Sequence, residues 1–302
     1  IGSAARVLKN DKKIGNNKFS LHKSDRNCEV VDVKVDAKDE SELMDFYCPP
    51  NSSGSCHSNY LTYRQISPEI IKRFLTHFLL TRWFCIGNMW VEIGPQNKLI
   101  ATLSQRAGLI GQMYNTASVG EKRIKPLIST KDETLANSKL WRRYHDVSGN
   151  QNMSQWQTYL KHATMDLMFM MIESPGFLVS LPPIVDEDNE LNFYPNQNQD
   201  PSQLMKTVDF FNADIFGERT VRLADGRNWS ALNFQRYFIS EVERYKRESR
   251  GPFNEEREKA LQFWIQITDA IEGKDLAFLA RYLDWAAILY YYISPAFDRL
   301  GE

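Results

Sequence analysis

Apolar side chains recur at helical intervals along Ile70, Ile71, Phe74, Leu75, Phe78 and Leu79, which places them on one face of a helix. Ser67 followed by Pro68 supplies its start, a side-chain cap and a proline suited to the first turn. Gly87 marks a stop or turn. A second helix is predicted after Ser154–Gln157, where SQWQ fits a capping box. Its Met165, Leu167, Met168, Phe169 and Met171 read as core packing rather than a ligand surface. Further helices are predicted over about 232–247, 255–272 and 275–293, with Gly273 separating the last two.

Strand patterns fall at 18–22 (KFSLH), 28–36 (CEVVDVKVD), 57–63 (HSNYLTY) and 98–103 (KLIATL), and a hairpin at 220–230 turns on Asp225-Gly226. The first ten residues read as the end of a helix, and 49–55 (PPNSSGS) as a loop. Residues 184–203 are polar and carry Pro, Asp and Asn, the pattern of a mobile loop or boundary. No internal repeat is present. Strands mixed with helices, then a helical tail, predict an α+β fold in which helices cover a sheet. The expected division is a sheet and helix domain at 1–183, the polar loop at 184–203, and a hairpin plus helical region at 204–302 packed on the same domain.

The 302 residues are 42% hydrophobic, enough for a sizeable core. Net charge is -1, so bulk electrostatics give no case for nucleic acid or an anionic membrane. Cys28, Cys48, Cys56 and Cys85 form no CxxC pair and read as reduced thiols. The opening IGSAARVLKN lacks the regions of a signal peptide. The longest apolar run, 278–293, is interrupted by Arg281 and Asp284 and is too short to span a bilayer. These features fit the cytoplasm or an organellar matrix.

Chemistry concentrates in 126–154, which holds Lys131, Asp132, Glu133, Arg142, Arg143, His145, Asn150 and Asn152. Cations there would neutralise phosphoryl oxygens, while carboxylates or imidazoles would hold a divalent ion. A solvated charged loop is the alternative reading of the same composition.

Five blocks stand in a recognisable order: GSCHSNYL (54–61), LSQRA (103–107), PLISTKDETLANSKLWRRYHDVSGNQNMS (126–154), VRLADGR (221–227) and YLDWAAIL (282–289). Together they resemble the Pup–protein ligase and Pup deamidase/depupylase family of carboxylate–amine ligases. The resemblance implies a glutamine-synthetase-like fold, a curved antiparallel sheet carrying ATP and magnesium. It also implies an isopeptide bond, made or cut, between the C-terminal Glu of Pup and a substrate lysine. By resemblance, Arg106, Lys131, Arg142 and Arg143 are the nucleotide or phosphate contacts, and His57, His145 and Glu133 the metal contacts.

The chain also departs from the pattern. Ser58 stands where the family's His-Glu-Asn-Tyr block has Glu, Lys131 replaces an Arg, and Thr134-Leu135 replaces Pro-His. Asn150 replaces the Asp of a Gly-Asp turn, and Ile288 a lysine. Against the family pattern the chain reads as starting after the N-terminal paired glutamates and stopping before the C-terminal domain, and 28–53 reads as an insertion. A hydroxyl is a poor substitute for a carboxylate on a hard metal. The departures therefore favour a non-catalytic binding or structural subunit of a larger assembly. The alternative is an active ATP- and magnesium-dependent ligase or depupylase acting on Pup and its substrates. An aromatic cluster at Trp285, Tyr290, Tyr291 and Tyr292 is expected as an exposed partner surface.

Overall fold

The computed structural model describes residues 56–93, 99–115, 125–129, 131–134, 136–195 and 200–295. The expected strands at 18–22 and 28–36, the loop at 49–55, the opening ten residues, Cys28 and Cys48 lie outside the described residues. Cys56 and Cys85 are free thiols.

Strand β1 (Ser58–Tyr63) leads into helix α1 (Pro68–Thr81). The Ser67 hydroxyl caps α1 by accepting from the Ile70 amide at 3.3 Å. Short α2 (Trp83–Ile86) ends at Gly87. A Cβ at Gly87 would lie 2.4 Å from the Leu103 carbonyl oxygen, so the close approach of two backbones requires glycine there. Strands β2 (Trp90–Ile93) and β3 (Leu99–Thr102) pair antiparallel, which places the predicted 98–103 strand in a hairpin.

Strands β4 (Ile110–Asn115), β5 (Lys125–Ser129) and β6 (Trp141–Asp146) join β1 in a four-stranded sheet of order β1-β6-β5-β4. Both pairs involving β6 run antiparallel, but β4 and β5 run parallel, so this sheet is mixed within the α+β class.

Helix α3 (Gln155–Ile172) buries Met165, Leu167, Met168, Phe169 and Met171, as the stripe predicted. Only half of the expected capping box forms. The Ser154 hydroxyl accepts from the Gln157 amide, but the Gln157 side chain donates instead to the Gly87 carbonyl at 2.6 Å. Tertiary partners thus take the side chain that local pattern had assigned to the cap.

The stretch expected as a polar loop at 184–203 contains a hairpin, β7 (Ile184–Asp186) with β8 (Leu191–Phe193), and the start of helix α4 (Pro201–Asn212). Ile184, Leu191 and Phe193 are buried anchors hidden among polar neighbours. The Asp186 carboxylate accepts from the Asn189 amide and the Arg222 amide, which ties this hairpin to the next. Strands β9 (Thr220–Arg222) and β10 (Asn228–Ser230) form the predicted hairpin, with Gly226 at a φ of 86° in its turn. Helices α5 (Ala231–Arg247) and α6 (Glu255–Glu272) follow as predicted.

The expected continuous helix at 275–293 is broken into α7 (Leu276–Leu279), α8 (Asp284–Ile288) and a π turn (Leu289–Ile293). Trp285 is not part of an exposed cluster. It is fully buried, and its indole N–H donates to the Phe84 carbonyl at 2.6 Å. Tyr290, Tyr291 and Tyr292 are exposed. Side chains from α1, α3, α5 and α6 share one continuous apolar cluster. Among the described residues no helix is long and apolar enough to cross a membrane.

Candidate functional site

Neighbouring residues in a strand point to opposite faces, and directly paired residues share a face. The β1/β6 register pairs Ser58 with Asp146, Asn59 with His145, Leu61 with Arg143, Thr62 with Arg142, and Tyr63 with Trp141. Asn59, Leu61, Tyr63, Trp141, Arg143 and His145 therefore occupy one face. Ser58, Tyr60, Thr62, Arg142, Tyr144 and Asp146 occupy the other, where Tyr60 and Tyr144 pack on Phe169 of α3.

The first face carries most of the predicted site. His145 Nε2 lies 3.2 Å from Nδ1 of His57, which extends β1 on the same side. One of these nitrogens donates and the other accepts, so the pair is stable with at most one shared proton between them. The His145 Nδ1 is buried with no hydrogen-bond partner among the described residues. Burial, with Arg143 and His57 beside it, pushes His145 down to about 4, and Lys131 acts in the same direction. His145 is thus a neutral imidazole at pH 7 in a positive field.

Arg143 Nε donates to the Asn59 side-chain oxygen at 2.7 Å. Glu133 is exposed and lies 3.1 Å from Lys131 Nζ and 3.9 Å from an Arg143 nitrogen. His57, Lys131, Glu133, Arg143 and His145 therefore come together.

Arg142 does not join them. Its side chain lies on the opposite face, in a cleft lined by Pro68, Ile71, Lys72, Ile128, Tyr144 and a part of Arg143. There it faces Asp132 at 3.6 Å. Asp132 also accepts from Arg64 and, at 3.0 Å, from the Arg143 amide. Since β5 meets β6 at Ser129 and His145, this carboxylate takes a backbone donor beyond the point where the strand has ended.

Arg106 is buried, and its Nε donates to the Val147 carbonyl at 2.9 Å, just past β6. The turn after β6 is fixed from several sides. The Ser104 hydroxyl meets the Asn150 side-chain oxygen at 2.8 Å, and the buried Lys161 ammonium donates to the Asn150 carbonyl at 3.2 Å. The Asp284 carboxylate accepts from the amides of Met153 and Ser154 at 2.7 and 2.8 Å.

The register also changes the meaning of Ser58. It is buried and faces the interior, directly across from Asp146, not toward His57 and His145. Asp146 accepts from Arg82 NH2 at 2.6 Å and from the Ser148 amide and hydroxyl at 3.0 and 2.7 Å. Burial would raise the Asp146 carboxyl, yet Arg82 and the Ser148 hydrogen bonds hold it below the usual range. The glutamate-to-serine departure therefore alters the surroundings of a buried arginine and leaves the His57/His145 face as it is.

Arg82, Asp146, Asn59 and Asp284 were not singled out from sequence. A signal for Arg82 was present: a lone cation in the apolar run FLLTRWFCIG demands a buried counter-charge.

The donor set fits an anion. Arg143, Lys131 and the imidazoles present N–H groups, and the orphaned His145 Nδ1 offers one more polar contact. Magnesium requires oxygen ligands in near-octahedral order. Among the described residues no group of three or more His, Cys, Asp or Glu could hold a metal ion. The predicted carboxylate, Glu133, lies against Lys131 and Arg143. The described residues do not fit magnesium.

A family model described as Pup-ligase protein matches residues 50–291. The Pup–protein ligase of Actinosynnema mirum is 32% identical over 264 residues, covering 85% of this chain and 53% of that protein. The Pup–protein ligase of Mycobacterium tuberculosis strain H37Ra is 33% identical over 263 residues, with 85% and 53% covered. The chain spans about half the length of these relatives. Among solved structures, the Pup ligase PafA in complex with ADP superposes with a TM-score of 0.65 at 25% identity, covering 83% of this chain and 51% of that one. The complex between Pup and its ligase PafA gives 0.65 at 24% identity, with 83% and 47% covered.

Proposed function

The chain belongs to the Pup-ligase family, and from that premise we propose that it is an ATP-dependent carboxylate–amine ligase that joins the C-terminal glutamate of Pup to a protein lysine. The observation that carries this reading is the gathering of His57, Lys131, Arg143 and His145 on one face of the β1/β6 pair. Relatives named Pup–protein ligase, and PafA structures with ADP and with Pup, support ATP and Pup as the ligands. Of the several departures that favoured a non-catalytic subunit, Ser58 faces inward and so removes no ligand from the His57/His145 face.

In the proposed reaction a glutamate carboxylate oxygen attacks the terminal phosphorus of ATP and ADP leaves. The lysine nitrogen then attacks the acyl carbon, phosphate leaves, and the amine loses a proton. Arg143 and Lys131 would lie against the phosphoryl oxygens. Asn59 would hold Arg143 in orientation, and the neutral His145/His57 pair would offer an N–H without adding a second full charge. Removing one such electrostatic contact typically lowers rate by about a hundred- to a thousand-fold.

The test follows melting temperature on titration with ATP, then product formation with Pup and a lysine-bearing acceptor. Ligand binding at a hundred times Kd stabilises the folded state by about 2.7 kcal/mol, so a rise of several degrees is expected. Arg143→Ala should abolish most of it. No shift at millimolar ATP would sink the nucleotide reading. ATP binding with no isopeptide product would return the protein to the non-catalytic class.

A further inference from the structure

The loop that joins β5 to β6 carries Lys131 and Glu133, and an arginine from outside the site ties that loop down. Arg64 follows directly after β1 and is half-buried. Its Nε donates to the Ser138 carbonyl at 2.9 Å, one terminal nitrogen donates to the Trp141 carbonyl at 2.8 Å, and the other donates to the Asp132 carboxylate. Its backbone amide donates to the Leu140 carbonyl at 2.8 Å. All three guanidinium nitrogens are therefore in use, on the start of the loop, on its later part and on the first residue of β6.

A guanidinium is a rigid plane whose N–H groups keep fixed mutual directions. Three acceptors bound to one such plane are fixed relative to one another, which a lysine ammonium on a flexible stem does not achieve. Asp132 passes this constraint on. One of its oxygens takes Arg64 and faces Arg142 at 3.6 Å, while the other accepts from the Arg143 amide at 3.0 Å. The carboxylate thus bolts the loop to the backbone of Arg143, whose side chain belongs to the cationic cluster. Lys131 and Glu133 are the immediate chain neighbours of Asp132, and Lys131 Nζ lies 3.1 Å from Glu133 and adds to the positive field at His145. Neighbouring Cα atoms are a fixed distance of about 3.8 Å apart, so a shift of Asp132 carries Lys131 with it.

We propose that Arg64 and Asp132 are positioning residues: they form a latch that sets Lys131 relative to Arg143, and they act through these cations rather than by touching the ligand. The inference rests on the phosphate reading above and deepens it by naming what holds its lysine in place. Charge alone predicts a different outcome for Asp132. A carboxylate beside a polyanion site repels the ligand, so neutralising it should tighten binding if it acted only through its field. A latch requires the reverse, because neutralising Asp132 releases the loop. The two accounts also part at Arg64, since lysine keeps the positive charge and loses the three-point fork.

Calorimetric titration of the full chain with ATP and with inorganic tripolyphosphate provides the test. Residues in one hydrogen-bonded network couple by factors of roughly two to a hundred. Asp132→Asn should weaken both ligands about ten-fold, and Arg64→Lys and Arg64→Ala should each do so to nearly the same extent. In a Lys131→Ala background, Arg64→Ala should change affinity by less than about two-fold, because the group it positions is gone. A folding defect would lower the fraction of chains that bind and leave the affinity of the rest intact, so the two effects are read separately. Unchanged or tighter binding in Asp132→Asn, or wild-type affinity in Arg64→Lys, would overturn the latch and leave the phosphate reading standing. Additive losses for Arg64→Ala and Lys131→Ala would overturn it as well. Failure of the wild-type protein to bind either polyanion would remove the phosphate reading and the latch together.

Discussion

Replacing Asp146 by Asn should destabilise the protein by about 3–5 kcal/mol, the usual consequence of leaving a buried ionic partner uncompensated. Arg82 and Asp146 side chains are 1% and 0% exposed, so neither can turn to water. Arg82 Nε and NH1 have no partner among the described residues, which leaves NH2, with Asp146 and Ser148, to satisfy the guanidinium. The loss would be a large share of the roughly 5–15 kcal/mol by which folded domains are stable. The resemblance to the ligase family places a glutamate at position 58, across the strands from Asp146. Paired Cα atoms lie about 4.5–5.5 Å apart, so a carboxylate on either strand can reach the same arginine. Ser58→Glu in the Asp146→Asn background should therefore recover at least half of the loss. Ser58→Glu alone should destabilise, because two carboxylates would share one cation. Urea unfolding of the four proteins completes the cycle. A loss below about 1 kcal/mol for Asp146→Asn, or strictly additive effects in the double variant, would refute the reasoning.

Other outcomes are equally direct. His77 is buried, stacks on Phe234, and burial pushes it down to about 4 from 6.5. Between those values the unfolded chain takes a proton that the folded chain refuses, so stability should fall as pH drops from 6.5 to about 4, by roughly 3 kcal/mol in all, then level off. His77→Phe should flatten that part of the pH dependence, and an unchanged slope would count against it. Asp284→Ala should lower stability by about 1–3 kcal/mol because two amides lose their acceptor, and Asp284→Asn by less because one amide oxygen remains. Equal denaturant midpoints for both variants and the wild type would contradict the clamp. Gly87→Ala should reduce stability or soluble yield sharply, since the new methyl meets backbone oxygens at 2.4 and 2.8 Å. A variant that melts like the wild type would show that the backbones there can part easily.

The helices were legible because their signals are local. Spacing and a Ser-Pro start marked α1, and a serine cap marked α3, within the segment itself. The site sheet was harder to read. Strand β6, Trp-Arg-Arg-Tyr-His-Asp, has charged residues on both faces, so no apolar alternation marks it. One charge is matched by Asp132 from the preceding loop and another by Arg82, which is distant in sequence. The hairpin at 184–193 was hidden for the related reason that only Ile184, Leu191 and Phe193 anchor it. The site residues were found through the order of blocks, but sequence alone could not divide them between faces. That division separated Arg142 from Arg143 and turned Ser58 inward, and it depended on register.

The Asp284 contacts join amides and a carboxylate about 130 positions apart in the chain. A ribosome would finish the strand that bears His145 long before it made the residue that closes the following turn. Until the late segment docks, Met153 and Ser154 keep amides that nothing in their own neighbourhood satisfies. The turn after the His145 strand therefore becomes fully braced only in a molecule whose synthesis has passed that point.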